Sequence, residues 1–162
     1  MNKAFKPLLL ALTLLASCQT NKVDSVKDFI SAIKNSNNQK MNMLLADNFI
    51  YKNQNGITFN KQDFINKKDS LETFETILNI EEFDSIVKTK VRIINILDSV
   101  LDVTPKPIHH RTYKVNNGKI SSIQLDSIAN KDEYNKSLAN KIIPFKFWLK
   151  DFYDIKLTGV NQ

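Results

Sequence analysis

Residues 108–126 carry the clearest folding signal in the sequence, because two alternating runs meet at a turn. The segment reads IHHRTYKVNNGKISSIQLD, and the Asn116-Asn117-Gly118 joint consists of residues that tolerate positive φ. The pattern predicts a β-hairpin. With a period of two in both strands, the odd-numbered residues share one face: His109, Arg111, Tyr113, Val115, Ser121, Ile123 and Leu125. A face that mixes apolar side chains with an arginine and a histidine is typical of a pocket wall.

The amino terminus has the features of a targeting segment. Lys3 and Lys6 precede an apolar run over 8–15 that is too short to span a bilayer, and Leu-Ala-Ser-Cys18 follows. These four residues resemble the bacterial lipobox, in which signal peptidase cuts before the cysteine and the thiol carries a diacylglycerol. The resemblance implies a signal peptide over 1–17, lipid on Cys18 and a polar tether over 18–22. No disulfide is available within the chain, since Cys18 is its one cysteine.

The charge pattern does not indicate a nucleic-acid surface. The formal net charge is +6, but the lysines are spread along the chain and Arg92 and Arg111 are the two arginines. A nucleic-acid surface normally concentrates charge on one face and uses arginine forks. The partner expected from the lipobox is a membrane, reached through the lipid. Because Gln19 rather than aspartate follows the cysteine, the resemblance favours the outer membrane of the cell envelope, facing the periplasm.

The first half of the mature chain is predicted to alternate helices with a small hairpin. Apolar residues at helical spacing predict a helix over 23–34, and a second, shorter helix is expected over 40–46. Strands over 49–52 and 57–59 flank Asn-Gln-Asn-Gly and form a small hairpin. A third helix over 61–68 should point Phe64 and Ile65 inward.

The second half is predicted as strands followed by two helices. Strands are expected over 74–80 and 85–97, and 98–103 could continue the second after a bend. In the long strand the apolar odd positions share one face: Val87, Val91, Ile93 and Leu97. Helices are expected over 132–141 and from Pro144 onward. The last helix carries an apolar stripe that we interpret as core: Phe145, Trp148, Leu149 and Phe152.

The segments LLADNFIYKNQNG and RTYKVNNGKISSIQLD, in this order of elements, resemble the nuclear transport factor 2-like (NTF2-like) superfamily, which includes SnoaL-like proteins and ketosteroid isomerase. The resemblance covers 23–128, and 129–162 would be a carboxy-terminal helical extension. It implies an α+β, cone-shaped domain with amino-terminal helices packed on a curved antiparallel sheet, plus carboxy-terminal helices. The odd face of the hairpin would then line the cone.

The same resemblance argues against steroid-isomerase chemistry. The tyrosine that steadies the enolate in the isomerases would fall at Phe29, the aspartate base at Asn53, and the oxyanion-hole aspartate at Arg111. Phenylalanine donates no hydrogen bond, an amide is no base at neutral pH, and arginine stays protonated. No catalytic residue is therefore assigned by the resemblance.

Six residues are candidates for a ligand pocket: Arg111, His109, Tyr113, Phe29, Tyr51 and Asn53. Arg111 has two interpretations: it clamps an anion or carboxylate, or it is a structural arginine paired with an acid of the same sheet. Because adjacent strand residues point to opposite faces, His109 and His110 cannot chelate one metal. Neither a metal nor a cofactor is expected.

Three functional hypotheses follow. The first is a lipid-anchored, non-catalytic domain that binds a small hydrophobic or anionic ligand or another protein. The alternative is an enzyme that acts on a small anionic or amphipathic substrate by acid/base chemistry with His109 and Arg111. The third is an open sheet face that forms a homodimer or binds another envelope protein.

Overall fold

Two helices open the domain in a computed structural model that describes residues 21–69 and 73–153. Helix α1 spans Lys22–Lys34 and helix α2 spans Asn38–Leu44. Each begins at an asparagine whose side chain accepts a backbone N–H of the first turn, as is usual at helix starts. The signal peptide predicted over 1–17 and the lipid site at Cys18 lie outside the described residues.

The remaining elements follow in the order β1 (Leu45–Lys52), β2 (Thr58–Asn60), α3 (Lys61–Asp69), β3 (Thr73–Phe83), β4 (Ile86–Asn95), α4 (Ile96–Val100), β5 (Ile108–Asn116), β6 (Lys119–Ala129) and α5 (Lys131–Tyr153). The six strands form one sheet in the order β2-β1-β6-β5-β4-β3. Every neighbouring pair is antiparallel except β1 and β6, which run parallel. The predicted α+β class is confirmed, with a mixed sheet.

The core lies between the amino-terminal helices and one face of the sheet. Helix α1 contributes Phe29, Ile30 and Ile33 to this core. The side chains of Phe64 and Ile65 of α3 are also buried, so they point inward as predicted. Apolar burial of this kind is the main source of stability in a domain of this size. The core therefore fixes the position of α3 above the sheet, where the cavity described below is formed.

Strand β6 contains two bulges that the alternation did not predict. At the first bulge, Val115 pairs with Ile120 and Lys114 with Ser122, so Ser121 is an extra residue relative to β5. At the second, Arg111 pairs with Leu125 and His110 with Ser127, so Asp126 is the extra residue. Ile120, not Ser121, is therefore on the buried face. A bulge bends its strand and increases the local twist. The two bulges curve the sheet around the core.

The strand predicted over 85–97 ends earlier than expected. The Asn95 side chain accepts the Asp98 backbone N–H at 2.8 Å, and the Asp98 carboxylate accepts the Asn95 N–H at 2.9 Å. This capping box starts helix α4, so 98–103 does not continue the strand. Leu97 lies in that helix and is exposed.

The carboxy-terminal segment is one helix, not two, because Pro144 lies inside α5. The interpretation of its apolar stripe as core is wrong for Trp148, which is 45% exposed, while Phe145 and Leu149 are half-buried. Within 21–69 and 73–153, no helix combines the length and the apolar character needed to cross a membrane.

Candidate functional site

A cavity of about 260 Å³ lies between α3 and the sheet. Its wall combines the end of the small β1–β2 hairpin, one side of α3 and the centre of the β5–β6 hairpin. The lining residues are Tyr51, Asn53, Phe59, Phe64, Lys67, His109, Arg111 and Ile123. Because these elements belong to the packed body of the domain, the cavity is preformed.

One side of the cavity is aromatic. Tyr51 and Phe59 stand directly opposite each other in the β1–β2 ladder, and their ring centroids are 6.0 Å apart. The Phe64 ring of α3 approaches Tyr51 at 5.1 Å, and the Lys67 ammonium lies 4.5 Å from the Phe59 centroid. Cross-strand aromatic pairs and cation–π contacts of this geometry are stabilising. They leave ring surfaces available to a flat apolar ligand.

The opposite side is organised by a buried ion pair. Arg111 is 5% exposed, and its Nη1 and Nη2 donate to Glu75 Oε2 at 2.7 Å and Oε1 at 3.0 Å. Burial is the largest single effect and would lower the pKa of Arg111, but the Glu75 charge, Tyr113 and the hydrogen bonds to both residues together raise it. The arginine is thus paired with an acid of its own sheet. Glu75 neutralises the positive charge of Arg111, which argues against Arg111 as a clamp for an anionic ligand.

His109 lies beside this pair, with Nδ1 3.4 Å from Arg111 Nη2. A guanidinium can only donate hydrogen bonds, so Nδ1 accepts and the neutral ring carries its proton on Nε2. Arg111 thus fixes the orientation of the ring through Nδ1.

Two further polar groups complete the wall. Burial raises the pKa of Tyr51, so its hydroxyl is neutral at physiological pH. The Asn53 side-chain oxygen accepts the backbone N–H groups of Asn55 at 3.0 Å and Ile57 at 2.9 Å, which holds the β1–β2 turn. Its amide nitrogen is then the group that Asn53 can present to a ligand.

The structure separates the six predicted pocket residues into two groups. Tyr51, Asn53, His109 and Arg111 line the cavity, whereas Phe29 and Tyr113 are fully buried in the core with their rings 6.5 Å apart. Assigning these two to the wall was wrong, because α1 packs over that part of β5 and fills the space. The Tyr113 hydroxyl accepts a hydrogen bond from Arg111 Nη1 at 3.5 Å, on the core side of the arginine.

Sequence reasoning missed Phe59, Phe64 and Lys67 as wall residues and Glu75 as the partner of Arg111. Phe59 could have been found, because the predicted small hairpin places it opposite Tyr51. Lys67 follows Phe64 by one turn of α3, so the two share a helix face.

The two adjacent histidines face different environments. His109 lines the cavity, while His110 lines a polar groove with Lys88 and Thr112. Among residues 21–69 and 73–153, no group of three or more histidine, cysteine or acidic side chains is arranged to hold a metal ion. The described wall instead offers hydrogen-bond donors and ring faces.

Comparison with known proteins identifies the fold but not the activity. No family model matches the chain, and no curated protein matches it. Among solved structures, an NTF2-like protein of unknown function from Cytophaga hutchinsonii is similar with a TM-score of 0.58 and 16% identity over 69% of this chain and 93% of that chain. An LEH-like epoxide hydrolase from M. tuberculosis has a TM-score of 0.59 and 14% identity over 76% and 93%.

IdmH from Streptomyces antibioticus is also similar, with a TM-score of 0.61 and 11% identity over 74% of this chain and 99% of that chain. Identities this low establish a common fold alone. The chain has an NTF2-like fold, with amino-terminal helices on a six-stranded mixed sheet and a long carboxy-terminal helix. The neighbours differ from one another in activity.

Proposed function

We propose that this chain is a lipid-anchored envelope protein whose NTF2-like domain binds a small amphipathic molecule without transforming it. The observation that carries the proposal is the preformed cavity, which has aromatic rings on one side and hydrogen-bonding groups on the other. Ligand sites are typically concave and mostly apolar, with a few converging polar groups.

The chemistry of the wall indicates what kind of ligand fits. Tyr51, Phe59 and Phe64 suit a single ring, because the cavity of about 260 Å³ is near the small end of ligand sites. His109 lines the same cavity, so the polar part of the wall suits a hydroxyl or carbonyl oxygen on that ring. Arg111 already pairs with Glu75, and Lys67 adds a second positive charge to the wall beside the Phe59 ring.

Binding can be tested with p-cresol, a neutral ring alcohol, and with 4-methylbenzoate as its anionic counterpart. We expect both to shift the backbone amide signals of Tyr51, Phe64 and His109 when titrated into ¹⁵N-labelled residues 19–162. This segment contains every residue of the core cluster. Saturable shifts at these residues support the proposal, and shifts scattered over the surface contradict it.

A matched pair of substitutions separates cavity binding from surface adsorption. Phe59→Trp adds volume inside the cavity and should abolish p-cresol binding. Phe83→Trp makes the same change at an exposed phenylalanine of the β3–β4 turn, which also has a lysine over its ring, at 5.5 Å. Equal binding by both variants would rule out the cavity as the site.

The anchor is proposed from the lipobox that ends at Cys18. Attachment through this residue to the outer membrane, with the domain facing the periplasm, is expected from the motif and from Gln19. Cys18→Ala should prevent labelling with radioactive palmitate and release the protein from the membrane fraction. Unchanged membrane association in this variant would contradict the anchor.

A second candidate function is acid/base catalysis by His109, favoured by its position 3.4 Å from Arg111 in the cavity wall. One solved neighbour is an epoxide hydrolase, and styrene oxide is a probe of suitable size. We expect no hydrolysis above buffer, because Nδ1 is engaged by Arg111 and Nε2 carries a proton. Turnover that His109→Gln abolishes while p-cresol binding persists would overturn the non-catalytic proposal.

A homodimer through the outer sheet face remains a third proposal. This face contains the polar groove of about 380 Å³ beside His110, and Thr112 donates to Asp126 there at 2.8 Å. Light scattering of residues 19–162 over a concentration series tests the idea. A constant monomer mass would contradict it.

A further inference from the structure

The second half of helix α5 exposes an apolar face. Ile143, Phe147 and Trp148 are 49%, 61% and 45% exposed. At about 100° of rotation per residue, four apolar residues share a sector about 140° wide: Ile143, Pro144, Phe147 and Trp148. Exposed apolar surface of this extent on one helix indicates an interaction surface.

Lysines border this sector on one side. On the same helical projection, Lys146 and Lys150 lie along one edge, whereas Lys141 on the other edge has its ammonium bound to Asp102. No acidic residue occurs over 134–150, and Asp151 closes the sector at its carboxyl end. Exposed aromatic residues with flanking lysines are typical of helices that lie in a membrane interface, where the lysine stems stay apolar and the ammonium groups reach the headgroups.

The first half of α5 holds this face in a fixed orientation. The Tyr134 hydroxyl donates to Asp98 at 2.8 Å, and the Thr104 backbone N–H donates to Ser137 at 3.3 Å. The Lys141 ammonium donates to the backbone carbonyl of Asp102. These contacts attach α5 to the segment that follows β4, and the apolar sector begins just beyond them.

We propose that the face formed by Ile143, Pro144, Phe147 and Trp148 docks on an anionic phospholipid surface. The border with Lys146 and Lys150 complements anionic headgroups, and each basic residue near such a surface contributes to binding. Two copies of the chain meeting through this face would bring like-charged borders together, which disfavours a homodimer here. The inference goes beyond ligand binding and does not depend on lipid at Cys18.

Trp148 is the single tryptophan of the chain, so its fluorescence reports directly on this face. Residues 19–162, which lack the apolar run and the lysines of the predicted signal peptide, are mixed with vesicles of phosphatidylglycerol and phosphatidylcholine, and with phosphatidylcholine alone. We expect a blue shift of Trp148 emission, and quenching by brominated acyl chains, with the anionic vesicles. An unmoved emission maximum would overturn the proposal, and so would an equal response to both vesicle types.

Paired variants test the contribution of the lysine border and of the apolar sector. Lys150→Gln should weaken partitioning about five-fold, since a basic residue near an anionic surface contributes about 1 kcal/mol, while Lys27→Gln on α1 should leave it unchanged. Phe147→Ser should weaken partitioning about ten-fold or more, and Phe83→Ser should not. Equal losses within either pair would overturn the assignment to this face. So would a concentration-dependent blue shift without vesicles, which would identify a second copy as the occupant.

Discussion

The buried pair between Arg111 and Glu75 makes a quantitative prediction. Glu75→Gln keeps the side-chain volume but removes the negative charge that pairs with the guanidinium of Arg111, a residue that is 5% exposed. Removing one partner of a buried ion pair leaves an uncompensated charge and costs about 3–5 kcal/mol. We therefore expect the free energy of unfolding to fall by that amount.

A double substitution shows whether the loss of stability comes from an unpaired buried charge or from lost packing. Arg111→Met combined with Glu75→Leu replaces both polar partners with apolar side chains of similar size. Such replacements are often neutral or stabilising. The double variant should consequently be more stable than Glu75→Gln, and the cycle formed with the wild type, Arg111→Met and Glu75→Leu should give a coupling energy of several kcal/mol.

Urea unfolding followed by circular dichroism measures the free energy of unfolding of the wild type and of each variant. Unchanged m-values ensure that the comparison is of stability. The exposed pair of Lys22 with Glu82, at 3.1 Å, provides the control. There the same Glu→Gln change should cost less than about 1 kcal/mol. A cost for Glu75→Gln as small as that of the control would refute the argument from burial.

Three further predictions concern the loops and the last helix. Burial, the hydrogen bond to Asp98 and that residue's charge raise the pKa of Tyr134 to about 12, above its ordinary value of 10. The stabilisation by its neutral hydroxyl is therefore present below pH 10 and lost as the pH rises towards 12. The cost of Tyr134→Phe in urea unfolding should shrink over that range, and a constant cost would contradict the contact. Asn95→Ala removes the cap of α4 and should cost about 1 kcal/mol in thermal unfolding; no change in Tm would show that the cap contributes nothing. Gly118 has a φ of +73°, so Gly118→Ala should cost about 1 kcal/mol by the same assay, and a neutral result would mean that the turn tolerates a side chain.

The hairpin over 108–126 shows where alternation predicts a strand and where it fails. Strand β5 has no extra residue, so Arg111, Tyr113 and Val115 share the buried face as predicted. Strand β6 has two bulges, and one of them moved Ser121 off that face. The spacing of Ile120 and Ile123 was a visible signal, because two inward residues three positions apart cannot both face the core in a regular strand.

The partner of Arg111 was also partly encoded in the sequence. Glu75 and Ile77 lie two residues apart in β3, so an acid shares a face with an inward apolar residue. A buried carboxylate needs a cation, and the other arginine, Arg92, faces outward on β4. What alternation cannot give is the strand order, which places β4 between β3 and β5 and brings the two side chains within reach.

The apolar residues of α5 were harder to interpret, because periodicity reports which residues share a face and not what covers that face. Ile142, Phe145 and Leu149 are half-buried, while Phe147 and Trp148 on the other side are exposed. Lys146 and Lys150, which lie between these two sides, indicate that the second side is not core, since a core helix would not place ammonium groups along the edge of an apolar sector.

The strand order also connects the ion pair with the cavity. Arg111 on β5 spans β4 to reach Glu75 on β3, and on the same strand it lies 3.4 Å from His109. The orientation of the imidazole in the cavity wall therefore depends on a carboxylate that is not part of that wall. Glu75→Gln should therefore weaken p-cresol binding as well as stability, whereas the Lys22 and Glu82 control should affect neither. A variant that loses stability but binds p-cresol with unchanged affinity would separate the two roles and leave His109 positioned by other contacts.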